Sequence, residues 1–264
     1  MTIIKKYIIA SLFCLLPASV IAKSKVDIIT TVSVNLINMD MSVTDNISID
    51  DAKQKQTRPD LQGIEVGLTL IDADMYYGFS TQATGQSVAD YTESIPGTTT
   101  PSTQLNNRSA FNMFAGYRIS DKFSVYLGLT KGTSSFGDQM NFNETGPFVG
   151  ARYAYRINAT SSLTFDASYS SLTTDIFLKD EDFLNLGSNN EDGHDVSTDS
   201  EGFSYSVTWI RSLDRGRSFF IRLKVQDFEL QTVDTDIENL ISTPGISTVS
   251  GDQKITSVNF GVAF

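Results

Sequence analysis

Val258-Asn259-Phe260-Gly261-Val262-Ala263-Phe264 closes the sequence. Apolar side chains fall on every second position, at Val258, Phe260, Val262 and Phe264, and small or polar ones fall between them. That period of two places the two sets on opposite faces of an extended strand. One face is uniformly apolar and ends in an aromatic ring, while the other would not bury well in an apolar core.

Working backwards, the same alternation recurs nine more times. The predicted strands run about 26–38, 61–71, 73–88, 109–119, 123–135, 147–157, 162–178, 202–211, 218–230 and 254–264. The first strand has a weak boundary, and the first long link leaves room for it to extend past Met39 to about Val43. The links between strands alternate in length. Asp72, Ser120–Lys122, Asn158–Thr160 and Ser212–Arg217 are short; about 39–60, 89–108, 136–146, 179–201 and 231–253 are long and polar.

An antiparallel up-and-down barrel sorts its links in this way, with tight turns at one rim and loops at the other. The expected fold is therefore all-β: a transmembrane antiparallel up-and-down β-barrel of ten strands, with eight or twelve as the alternatives. Short turns face the periplasm and long loops face the outside. The second face of each strand should then line a bore, and the charged residues on it are Glu65, Arg118, Arg152, Arg156, Asp166, Arg222 and Lys224. Charges of both signs can pair there, and ten strands enclose little space. A polar filling that leaves no wide pore is expected, and a small-solute channel is the alternative. Tyr117, Phe123, Tyr155, Phe165, Trp209, Phe219 and Phe264 fall near the short turns on the apolar phase, where an interfacial aromatic girdle belongs.

The N-terminus reads as an export signal. Lys5 and Lys6 precede the apolar run Ile8–Val20, and Ala22 suits cleavage, giving a signal at 1–22 and one barrel domain at 23–264. The single cysteine, Cys14, falls inside that signal, so no disulfide framework is available. A net charge of −11 argues against a nucleic-acid partner. No motif for a cofactor is present.

The final strand, with Val258, Phe260, Val262 and Phe264, resembles the C-terminal strand of the bacterial outer-membrane β-barrel superfamily, in which the terminal aromatic is read by the barrel assembly machinery. The resemblance implies export to the outer membrane, with lipid and lipopolysaccharide as surroundings. The strand count and Asp192-Gly193-His194 also resemble omptin proteases. On that resemblance His194 and Asp192 would face Asp90 and Glu93 across the outer rim, the His acting as general base towards a water. The longer omptin signatures with Trp and His are absent, and a solvated loop residue is the alternative for His194. The same loop holds Asp180, Asp182, Glu191, Asp192 and Asp195, carboxylates of the kind that ligate calcium but without EF-hand spacing. The expected role is a non-enzymatic surface barrel; a rim-site hydrolase is the alternative.

Overall fold

A computed structural model of the chain describes residues 26–46, 52–95, 98–137, 140–178, 194–213, 216–236 and 246–264. The strands are β1 (Asp27–Asn46), β2 (Ala52–Thr57), β3 (Asp60–Asp72), β4 (Met75–Thr84), β5 (Ser87–Ile95), β6 (Thr98–Arg118), β7 (Phe123–Phe136), β8 (Met140–Arg156), β9 (Ser161–Leu178), β10 (His194–Ser212), β11 (Ser218–Asp236) and β12 (Ile246–Ala263). Each is antiparallel to its neighbours, and β12 pairs with β1 to close the ring. Beyond β12, Phe264 exchanges two backbone hydrogen bonds with Thr30, of 2.8 and 3.0 Å, so the last residue is part of the closing seam.

Twelve strands make a ten-stranded barrel. Next to the turns the order is β1-β3-β4-β6; above, it is β1-β2-β5-β6. Thus β2 continues β3, and β5 continues β4. Pro59 explains the first interruption, since it has no N–H to give to a ladder; its carbonyl still accepts from the Met39 amide at 3.1 Å. At the second interruption, Gly85-Gln86, the register moves from Gly63↔Thr84 to Thr57↔Tyr91. One strand advances by one residue more than the other, as at a β-bulge.

The strands run much further than the alternation of apolar residues predicts. They reach Asn46 and Ala52, Ile95 and Thr98, Phe136 and Met140, Leu178 and His194, and Asp236 and Ile246, which corrects the long links of the sequence reading. The reason is an inversion of polarity. On β1, Val34 and Leu36 point outward and are exposed, while Ser33 and Asn35 point inward and are buried. From Ile37 onward the phase is unchanged but the chemistry swaps. Ile37, Met39, Met41 and Val43 are buried inside, and Asn38, Asp40 and Ser42 face out.

The lower part of the wall is therefore a transmembrane surface. The outward apolar stretch Ile28–Leu36 matches the roughly nine to eleven residues with which a tilted strand crosses a bilayer. The remainder of β1, about ten residues or roughly 33 Å of strand, stands clear of it. That upper wall is laced by polar pairs between strands, including Asn38 to Asp60 (2.8 Å), Gln54 to Ser42 (3.1 Å), Thr133 to Asn143 (3.0 Å) and Ser197 to Asp175 (2.7 Å).

Inward glycines fit the wall together on one side. Tyr76, Gly116, Tyr126 and Gly150 form one row across β4, β6, β7 and β8, and Gly78, Phe114, Gly128 and Phe148 form the next. Each ring lies over the glycine beside it. A Cβ on Gly116 would enter the Tyr76 ring, and one on Gly128 would enter Phe148.

Candidate functional site

The bore contains two regions stacked along its axis. Above the bilayer, Ile37, Met39, Met41, Val43, Leu61, Phe136, Met140, Phe142, Ile176, Leu230 and Ile255 form one buried apolar cluster. Phe136 and Phe142 meet edge to face, with centroids 5.7 Å apart. A polar filling is expected from the sequence; here the upper filling is mixed, with the apolar cluster packed beside the buried Lys55, Thr57, Gln104, Asn106 and Gln253, because water rather than lipid surrounds that part of the wall and apolar side chains gain by turning inward.

Below the cluster lies a cavity of about 820 Å³. Ile37, Leu172, Phe228 and Ile255 line its upper end, and the turn residues Ser120, Asp121, Lys122 and Gly216 line its mouth. Three ion pairs hold its walls. Arg152 Nε donates to Asp166 Oδ1 at 2.7 Å, and its guanidinium lies 6.0 and 5.8 Å from the ring centres of Tyr76 and Tyr126. Arg222 reaches Glu65 at 3.4 Å and Thr208 at 3.3 Å, and Asn259 Nδ2 donates to the other Glu65 oxygen at 2.9 Å. Arg108 bonds Glu144 at 3.1 Å and Ser134 at 2.5 Å, with both ionic side chains almost fully enclosed.

Glu65, Arg152, Asp166, Arg222 and Lys224 line the cavity, and Arg118 stands at its mouth. Arg156 is exposed and donates to the carbonyls of Asn158 and Ala159, so it braces its own turn rather than the cavity. Arg108 and Glu144 carry the best-enclosed ion pair, yet the sequence reading passes over them. Both lie in stretches assigned to loops or strand margins, and only the longer strands of the structure turn them inward.

On the outer face, Tyr117, Phe123, Tyr155, Phe165 and Phe264 are exposed; Trp209 and Phe219 are partly covered and meet edge to face with centroids 6.2 Å apart. Register places Phe123, Tyr153 and Phe165 in one row. Val258 and Phe260 continue that apolar face on β12, and Val262 and Phe264 carry it to the rim. A second aromatic set lies further up. Tyr169 stands 5.3 Å from Phe203, which stacks on Tyr205 at 6.1 Å, and the Tyr169 hydroxyl donates to Glu201 at 2.6 Å. Rings below and a carboxylate above suit the outer edge of the apolar belt.

The rim candidates are scattered. Asp90 is exposed on the outer face of β5, in the same phase as exposed Val88, so it does not face the bore. The backbone of Glu93 pairs with Lys55, and those of His194 and Asp195 pair with Leu178 and Phe177. Asp180, Asp182, Glu191 and Asp192 lie outside the described residues, as does the signal segment. Among the described residues no group of three metal-ligating side chains is found.

The closed ring invites comparison with known barrels. The chain is similar in structure to the outer membrane protease OmpT from Escherichia coli, with a TM-score of 0.66 over 90% of this chain and 96% of that one, at 10% identity. The chain has the fold of bacterial outer-membrane β-barrels. Looser matches include the outer membrane protein OprG from Pseudomonas aeruginosa, with a TM-score of 0.40 at 11% identity over 92% and 97% of the two chains. The KdgM porin matches with a TM-score of 0.31 at 9% identity over 89% and 98%. No family model and no curated protein matches the sequence. At these identities the likeness is one of fold alone.

Proposed function

We propose that the chain is an integral outer-membrane protein that does not conduct: a surface barrel, closed towards the outside, with no enzymatic role. The observation that carries this reading is the apolar cluster above the cavity. Eleven buried apolar side chains from Ile37 to Ile255 stand between the polar cavity and the outer rim, packed among the buried side chains of Lys55, Thr57, Asn106 and Gln253. An ion crossing that zone would have to shed most of its hydration and displace closely packed side chains. The segment 1–22 exports the chain, and the barrel assembly machinery reads Val258, Phe260, Val262 and Phe264. Lipid and lipopolysaccharide surround the belt between the two aromatic sets. Planar-bilayer recording of the purified protein tests the closure. No unitary conductance is expected, and steps of porin size would contradict it.

A second reading, a rim-site hydrolase, draws support from topology. In the upper ring, β5 with Glu93 and β10 with His194 are five places apart among ten strands, and so stand across the bore from each other. The outward position of Asp90 counts against it. Loss of a peptide- or lipid-cleaving activity in His194→Ala, with the barrel intact, would favour this reading.

A further inference from the structure

The charges in the cavity do not balance. Inside the mouth, where Arg118, Asp121 and Lys122 stand, Arg108, Arg152, Arg222 and Lys224 face Glu65, Glu144 and Asp166. Each carboxylate is taken by one arginine, and Glu65 also accepts from Asn259. Lys224 is the cation left over: among the described residues it forms neither an ion pair nor a hydrogen bond. Its strand neighbours in register are Ser206 and Ser257, two hydroxyls on the cavity wall. Glu65 and Asp166 are its nearest opposite charges, but neither is in direct contact with it, and an incoming anion would supply the partner that the enclosed ammonium lacks.

The wall made by β4, β6, β7 and β8 supplies the second half of a site. Phe114, Tyr126 and Phe148 line the same cavity as Lys224 and stand in a staggered row, with successive ring centres 6.5 and 6.1 Å apart. Their strands β6, β7 and β8 lie five, four and three places from β11 around the ring of ten. The cavity thus offers, at a volume suited to small molecules, a cation between two hydroxyls on β10–β12, where Phe220 and Phe228 also line it, and a row of rings on β6–β8, where Arg152 stands over Tyr126. Its mouth is at the rim of short turns and its far end is apolar, so entry is from the turn side.

We propose that the bore binds a small organic carboxylate with an aromatic or aliphatic body, entering from the periplasmic rim. Its carboxylate sits on Lys224, with Ser206 and Ser257 as donors, and its apolar part lies towards Phe114, Tyr126 and Phe148. The proposal is independent of whether the barrel conducts, and titration and bilayer recording report on the two separately.

The test is calorimetric titration of the purified, heat-modifiable barrel in detergent micelles with sodium benzoate, against empty micelles. Saturable binding is expected. Acetate, inorganic phosphate and neutral benzyl alcohol should each bind at least about tenfold more weakly. Lys224→Met should lose about tenfold or more, and Lys224→Arg should retain most of the affinity. Absence of saturable binding, equal binding by phosphate or benzyl alcohol, or unchanged binding in Lys224→Met would each overturn the proposal. If Lys224→Met does not fold, the ¹⁹F signal of 4-fluorobenzoate on the unaltered protein decides. Displacement by benzoate but not by benzyl alcohol supports the site, and displacement by both, or by neither, overturns it.

Discussion

Arg108 and Glu144 meet at 3.1 Å across β6 and β8, with side chains 7% and 6% exposed. The inward glycine of the strand between them, Gly132, makes room, since a Cβ there would press on both partners. Breaking such a pair leaves one enclosed charge unmatched, at a cost of about 3–5 kcal/mol. Glu144→Gln and Arg108→Met should each lose stability on that scale. Arg108→Met with Glu144→Leu should recover much of it, because neither charge remains. Urea unfolding in lipid vesicles checks the cycle.

The fit of ring on glycine makes a second prediction. Tyr76 lies across Gly116, so Gly116→Ala forces the ring aside at about 1–3 kcal/mol. Tyr76→Ala alone also costs stability, through lost packing and the 3.3 Å bond from its hydroxyl to Ser124. In the double variant the two changes should be markedly less than additive, because the alanine at position 116 then meets no ring. Additive losses would mean that the two residues do not touch.

Position relative to the belt governs the third prediction. Val34 is 55% exposed on the apolar part of β1, and Ser42 faces out eight residues further along the same strand. Val34→Arg should destabilise the membrane-inserted barrel by about 2–4 kcal/mol. Ser42→Arg should change it by under about 0.5 kcal/mol, as ordinary surface substitutions do. Equilibrium folding into vesicles of both variants measures the difference.

The parts of the fold that were legible in the sequence are those where lipid sets the pattern. Val258 to Phe264 and Phe123 to Leu129 are apolar on one phase because that phase meets hydrocarbon, and the short turns between such strands follow directly. Above the belt the alternation continues with its meaning exchanged. Met39, Met41 and Val43 are apolar because they point inward, and Asp40 and Ser42 are polar because they point out. A reading that seeks one apolar outer face therefore ends each strand too early and assigns its upper half to a loop.

The same exchange explains what was missed in the bore. Arg152 and Asp166 lie between residues of the outer belt, where their inward phase is plain. Arg108 and Glu144 sit near its edge, where Asn107 and Ser109, and Asn143 and Thr145, make the opposite phase polar too, so alternation alone does not orient them. Pro59 is different again. A proline within a run of polar residues reads as part of a link, and only the pairing of β2 with β1 and β5 shows that the strand resumes beyond it.

The central claim is that one barrel wall changes surroundings part-way up, from lipid outside a polar, partly open bore to water outside a closely packed interior. Cysteine scanning along β1 tests it most directly, with Val34, Leu36, Asn38, Asp40 and Ser42 replaced on the outer phase and Ile37, Met39 and Met41 on the inner. A membrane-impermeant maleimide is applied to the folded barrel in vesicles with its long-strand rim outward. Labelling should begin at Asn38 on the outer phase and continue through Asp40 and Ser42, while all three inner positions stay protected. Labelling of Met39→Cys and Met41→Cys as fast as Asp40→Cys and Ser42→Cys, the pattern of a water-filled bore, would contradict the account.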